Sequence, residues 1–172
     1  MLEIQELDPL AARGCLDSLT HLLQDAVEHG ASVGFLPPLQ DSEARNFWLS
    51  TIDAMETGGR LLLIARNGDQ IVGSVQLALA GMPNGRHRAE VMKLFVHTNT
   101  RRQGIGERLM QALEQRAREH GRTLLVLDTR EGDPSEFLYQ KVGYTKAGVI
   151  PQYARSASGD LHTTAFYYKA LP

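Results

Sequence analysis

The stretch Val96–Glu107, VHTNTRRQGIGE, stands where an apolar strand pattern gives way to an amphipathic helix pattern. Gly104 and Gly106 let the backbone come close to a ligand and take positive φ where a turn requires it. Unpaired N–H groups at a helix start converge on an anion, and the helix dipole favours negative charge there. Arg101 and Arg102 set cations beside that turn. The chemistry suits a pyrophosphate. A dinucleotide fingerprint would need G-x-G-x-x-G in the first strand–helix turn, whereas these two glycines lie midway along the chain. A P-loop would need Gly-Lys-Ser/Thr, which does not follow.

Working outward, the strand entering this turn is expected over Glu90–His97, after a turn at Met82–His87 (MPNGRH). Before it, Asn67-Gly68-Asp69 is a hairpin signal between strands Arg60–Arg66 and Gln70–Ala80. Leu2, Ile4 and Leu7 suggest a short first strand. A helix is expected from Leu10 to His29, stopping at Gly30, then a loop Gly30–Pro38 (GASVGFLPP) and a helix from Asp41 or Ser42 to Glu56. Downstream, Ile105, Leu109 and Leu113 mark a helix over Gly104–His120. Thr123–Asp128 (TLLVLD) reads as a strand covered on both faces. A helix Pro134–Val142, a strand Tyr144–Pro151, a loop Pro151–Gly159 and a strand Leu161–Ala170 follow. The order β-α-α-β-β-β-α-β-α-β-β describes one α/β (α+β) domain over residues 1–172. Only the strand–helix–strand unit across residues 90–128 must be parallel, with a right-handed crossover.

Composition bounds the partners. The 172 residues are 42% hydrophobic and 22% charged, with net charge −2, so nothing global attracts nucleic acid or an anionic membrane. Neither is expected as a partner. The one cysteine, Cys15, excludes an intrachain disulfide and reads as a buried small hydrophobe. MLEIQELDPL lacks the basic start and apolar centre of a signal peptide, and no apolar run reaches the ~20 residues of a membrane span. The expected location is cytoplasmic.

The pattern Arg101-x-x-Gly104-x-Gly106, after a strand ending in Val96 and before an amphipathic helix, resembles that of the GNAT acetyltransferases. Tyr139 followed by Gly143-Tyr144 is similar to the family's Y-x-x-x-G-F/Y near its fourth helix. The resemblance implies a mixed, mostly antiparallel sheet of about seven strands with a parallel, splayed central pair, flanked by about four helices. It implies acetyl-CoA as cosubstrate, with no metal. Arg101, Arg102, Gln103, Gly104, Ile105, Gly106 and Glu107 would then hold the pyrophosphate, and the strand around Phe95–Val96 the pantetheine arm. One departure is Gly132, where many members carry an asparagine that contacts the coenzyme. Gly30–Phe35 (GASVGF), Pro83–Gly85, Arg88–Val91, Lys93-Leu94, Leu127–Thr129 and Leu161-His162 resemble the tabtoxin resistance branch, which acetylates the amine of a toxin.

Acetyl transfer to an ammonium needs a base for its proton and benefits from an acid for the leaving thiolate. Glu90 stands eleven positions before Arg101 (101 − 90 = 11), where many GNATs carry a catalytic glutamate; a salt bridge to Arg86 or Arg88 is the plain alternative. Asp128 ends an apolar strand, where α/β sheets bind ligands, or else caps the next helix. In the tabtoxin resistance enzyme the matching acids form the proposed acid–base pair. Tyr139 is the candidate acid for the thiolate, by the same family resemblance, or a packing residue with a satisfied hydroxyl. His162 lines the acceptor pocket or makes a cross-strand contact, and Tyr153, Tyr167 and Tyr168 pack on the final hairpin. No histidine pair has metal-site spacing. The expected activity is acetylation of a small-molecule amine by a monomer or homodimer, and the tabtoxin resistance resemblance implies a toxin or antibiotic as that amine. Two alternatives stand beside it: a protein or peptide N-acetyltransferase, and a non-catalytic acyl-CoA or toxin-binding module.

Overall fold

The computed structural model describes residues 1–172. Seven strands form one sheet in the order β1-β2-β3-β4-β5-β7-β6. They are β1 (Leu2–Leu7), β2 (Arg60–Asn67), β3 (Gln70–Leu79), β4 (Arg88–Val96), β5 (Leu124–Arg130), β6 (Thr145–Arg155) and β7 (Leu161–Ala170). Every neighbouring pair is antiparallel except β4–β5. The helices are α1 (Pro9–Gly14), α2 (Leu16–Glu28), α3 (Asp41–Glu56), α4 (Ile105–Glu119) and α5 (Ser135–Lys141). The mixed, mostly antiparallel sheet with one parallel pair is the expected fold.

Two apolar layers sandwich the sheet. Leu62 and Ile64 of β2 join Leu19, Leu23, Trp48 and Ile52 of α2 and α3. Leu61, Leu63 and Ala65, on the opposite face, join Leu109, Leu113 and Ala117 of α4. The period-2 alternation of a strand produces this split from one continuous apolar run.

Three expectations are corrected. The helix expected over Leu10–His29 is two, broken at Gly14-Cys15. Asp8 caps α1 by accepting from the Ala11 N–H, and Pro9 opens it. Glycine is a weak interior helix residue, by about 1 kcal/mol against alanine, so the chain turns there. Cys15 is therefore half-buried, its Sγ accepting from Arg66 at 3.5 Å. The run TLLVLD buries Leu125 and Leu127 on one face only; Leu124 and Val126 are half-buried and Asp128 is open. Finally, most of the expected Pro151–Gly159 loop is strand. β6 reaches Arg155, with a bulge in which Ile150 pairs Thr164 and Ala154 pairs His162. Pro151, which lacks an N–H, is accommodated because β6 is an edge strand.

The feature that makes a site is the parting of β4 and β5. They pair only at Arg88–Glu90 with Leu124–Val126. Just beyond, β4 carries an extra residue relative to β3, since Ser74 pairs Phe95 while Gln76 pairs Met92. Lys93 sits in that bulge with φ 55°. A bulge bends its strand. A cleft opens between the two strands on the side where both end.

Candidate active site

At the end of β4 the chain makes one tight turn at Thr98–Thr100, then Arg102 takes φ 62° and Gly104 φ 76° before α4 begins at Ile105. Gly104 offers no capping side chain. The N–H groups of the first turn, Ile105, Gly106 and Glu107, therefore have no helical or capping partner. The two glycines serve different ends. Gly104 is needed for its left-handed φ; Gly106 is needed because a Cβ there would stand 3.0 Å from Leu138 Cδ2 of α5. Arg101 folds back, its Nε donating to the Val96 carbonyl at 3.1 Å. Glu107, an acid in an anion-receiving turn, is paired with Lys141 at 2.6 Å.

A residue that no sequence motif singles out anchors this turn. Asp25 of α2 accepts from the Thr98 N–H at 2.8 Å and its hydroxyl at 3.0 Å. His29 and His97 flank the same carboxylate at 3.4 and 3.8 Å. Above the turn, Phe95 is buried and Val96 pairs Gly73. Because β5 has diverged by then, the backbone groups of β4 that face it from Val91 onward have no strand partner. An extended ligand with amides could add itself there as a strand would.

Glu90, Asp128 and Tyr139 come together on one cavity of about 260 Å³ in the parted strands, with Lys93, Asp133, Ser135 and Tyr153. Glu90 and Asp128 lie open to this cleft. Glu90 forms no ion pair with Arg86 or Arg88; Arg60 instead holds Gln76 at 2.8 Å nearby. Asp128 does not cap α5; the side chain that meets the start of that helix is Asp133, which accepts from the Ser135 N–H at 2.8 Å. Partial burial pushes the Asp128 carboxyl above the usual carboxylate range, and the Lys93 ammonium opposes the rise. Lys93 itself is pulled below the usual lysine range by burial, with Asp128 opposing, Arg60 adding and Glu90 opposing. Its ammonium donates to the Val33 carbonyl and lies 5.9 and 5.6 Å from the Phe35 and Phe47 ring centroids.

Tyr139 is buried between the rings of Tyr144 and Tyr167, at 6.2 and 6.1 Å between centroids. Burial pushes its hydroxyl far above the ordinary phenol range, Asp133 and Asp128 add to the rise, and Ser135 opposes it. It stays protonated, so it is a donor. Gly132 takes φ 82° and donates its N–H to Glu136 at 2.6 Å. The polar side chains this segment brings to the cleft are Asp133 and Ser135.

A second cavity, of about 600 Å³, adjoins the first and shares Ala31, Ser32, Gly34 and Ala154 with it. Its walls are Gly30–Pro37 and the β6–β7 turn at Arg155–Ser158, and His162 lines it. Of the hairpin tyrosines, Tyr167 is buried, Tyr168 is exposed, and Tyr153 packs edge-on to Phe166 at 5.5 Å while facing the cleft. Arg130 and Arg155, also on this cavity, went unnoticed in the sequence.

A sheet split at its one parallel pair, with an anion-receiving turn at the end of the split strand, is the GNAT scaffold. The chain belongs to the GNAT acetyltransferase family, whose family model matches residues 17–144. An uncharacterised N-acetyltransferase encoded in the hisH-hisA intergenic region of Azospirillum brasilense is 31% identical over 130 residues, 74% of this chain and 75% of that protein. Human N-acetyltransferase 8 is 33% identical over 114 residues, 64% of this chain and 49% of that one. The chain thus spans about half the length of that relative. The ribosomal-protein-alanine N-acetyltransferase of Brucella melitensis superimposes with TM-score 0.81 and 25% identity, over 98% of this chain and 99% of that one. The yncA protein of Salmonella typhimurium, solved with its cofactor acetyl-CoA, has TM-score 0.81 and 18% identity over 99% and 94% of the two chains. That last likeness is one of fold.

Proposed function

We propose that this protein transfers acetyl from acetyl-CoA to an amine of a small molecule. The observation that carries the reading is the convergence of Glu90, Asp128 and Tyr139 on one cleft, beside a turn of unpartnered N–H groups. The residues present fit the cosubstrate. The first turn of α4, with Arg101 and Arg102 beside it, suits a pyrophosphate, and the unpaired edge of β4 around Phe95–Val96 suits the amides of a pantetheine arm.

When bound, acetyl-CoA supplies a thioester carbonyl: the amine nitrogen bonds to that carbon as the carbon–sulfur bond breaks. Glu90 and Asp128 attract the incoming ammonium and take its proton, directly or through a water. Partial burial raises the Asp128 pKa, which makes it a stronger base than a fully solvated aspartate. Tyr139 holds a proton in a buried site and gives it to the departing thiolate sulfur, and the second proton that the nitrogen sheds as the amide forms restores the phenol. The cavity walls position the acceptor for attack, which is where much of such a rate enhancement arises.

The cavity of about 600 Å³ between Gly30–Pro37 and the β6–β7 turn is of a size that supports a small acceptor. The segments resembling the tabtoxin resistance branch, Gly30–Phe35 among them, support a toxin or antibiotic as that acceptor, in a cytoplasmic setting. A second reading, acetylation of a protein, draws on the likeness to the ribosomal-protein-alanine N-acetyltransferase of Brucella melitensis. Thiol release from acetyl-CoA across a panel of small amines and peptides separates the two. Release with peptides alone would replace the first reading by the second, and release with no amine would favour a binding module.

A further inference from the structure

The two adjoining cavities carry opposite charge. The cleft holds Glu90, Asp128 and Asp133. The larger cavity has no aspartate or glutamate on its walls, and instead has Arg130, Arg155 and His162. Neither arginine takes part in any of the chain's ion pairs. Arg155 spends one donor on the Gly159 carbonyl, 2.6 Å away, which closes the hairpin turn and leaves the rest of its guanidinium free. Arg130 is half-buried, and its Nε is shielded from solvent with no hydrogen-bond partner. A buried donor left unmet costs free energy, so such a group marks a place where an acceptor belongs.

β5 sets the spacing. Asp128 and Arg130 are two residues apart on one strand, hence on the same face with Cα atoms about 6.6 Å apart. The strand thus offers a carboxylate and a guanidinium side by side, one into each cavity. A ligand with an ammonium and an oxyanion a few bonds apart satisfies both.

We infer that Arg130 and Arg155 form an oxyanion subsite, and that the acceptor is a zwitterion: an amino acid or aminophosphonate whose ammonium faces Asp128 and Glu90. This rests on the small-molecule reading above and narrows it. Arginine's planar fork matches carboxylate, phosphonate and phosphinate groups in two-point contact. His162 on the same wall adds charge when protonated.

The test is thiol release from acetyl-CoA with a panel in which each amino acid or aminophosphonate is paired with its amide or methyl ester. The anionic member should be preferred in kcat/KM by at least about tenfold, the worth of one charged hydrogen bond. Arg130→Met and Arg155→Met should each raise KM for the anionic member and shrink that preference, with kcat and the calorimetric affinity for CoA nearly unchanged. Turnover of the neutral members as well as or better than the anionic ones overturns the subsite and leaves the acetyltransferase reading standing. So does a preference that survives in both variants. Turnover with no member of the panel overturns the subsite, and if peptides added as a further arm are then the sole acceptors, the small-molecule reading falls with it. Comparing phosphonates with carboxylates shows which oxyanion fits.

Discussion

The proposed coenzyme end of the cleft, residues 96–107, presents backbone, whereas the proposed acceptor end, Gly30–Pro37 against Arg155–Ser158, presents side chains. At the first, one continuous segment does the work: a strand end, two left-handed residues and a bare helix start. At the second, Arg130, Arg155 and His162 arrive from three strands, facing a loop that lies far away in sequence. Backbone recognition tolerates change in most side chains but not in φ. Side-chain recognition is the reverse, and so it is the acceptor end that varies specificity on a constant scaffold.

That contrast can be broken by substitutions that should separate the two ends from the chemistry between them. The largest effect expected is on the chemistry. Tyr139→Phe should lower kcat roughly 10²-fold or more, while calorimetry finds CoA affinity within about twofold, because a phenyl ring keeps the packing but carries no proton. An equal fall in affinity would mean that the hydroxyl binds and does not donate.

Gly104→Asp comes next. A side chain at φ 76° is strained and brings negative charge to the anion site. CoA affinity by calorimetry should weaken at least about tenfold, whereas the fit of the acceptor, read as relative kcat/KM across a panel, should not change. Undiminished binding would remove the turn from the coenzyme site.

Glu90→Gln and Asp128→Asn should each lower kcat/KM by about ten- to a hundredfold with CoA affinity intact. Asp128 must be ionised to accept a proton, so activity should fall as pH drops through its raised pKa, and Asp128→Asn should erase that limb of the pH profile. The sign for stability is opposite. A carboxyl whose pKa is raised on folding favours the fold while protonated, and that contribution is lost as pH rises through the folded value. Asp128→Asn should therefore hold or raise Tm at neutral pH. A lowered Tm would mean that the ionised carboxylate is needed by the fold.

The smallest effect is electrostatic tuning. Lys93 holds the Asp128 pKa down, so Lys93→Met should move the acid limb of kcat/KM to higher pH without abolishing turnover. A shift to lower pH would reverse the charge relation between the two groups.

The same contrast explains what could be read from the chain. Strand and helix periodicity exposed the element order and the parallel pair, because those signals are local. The coenzyme turn was legible for the same reason: Arg101, Gly104 and Gly106 lie within six residues. Glu90, Asp128 and Tyr139 could be named only through family resemblance, and their meeting depends on how β4 and β5 part, which no local pattern encodes. The bulge at Lys93 left no glycine or proline to announce it. Asp25 read as one more acid on a helix, yet folding brings it against Thr98, far along the chain. Arg130 and Arg155 belong to no motif, and their neighbourhood exists only after β6 and β7 pair. The misplaced Pro151–Gly159 loop has the same origin, since a proline in an edge strand looks from sequence like a strand's end.

The central claim is that this cleft moves acetyl to a small amine, and mass spectrometry tests it most directly. The protein is incubated with acetyl-CoA and a mixed library of small amines, peptides and proteins, while thiol release is followed in parallel. The account predicts one added acetyl group on a small primary amine, in step with thiol release and strongly slowed in Tyr139→Phe. Acetyl groups appearing only on peptides or proteins, or thiol released with no acetylated amine, would contradict it.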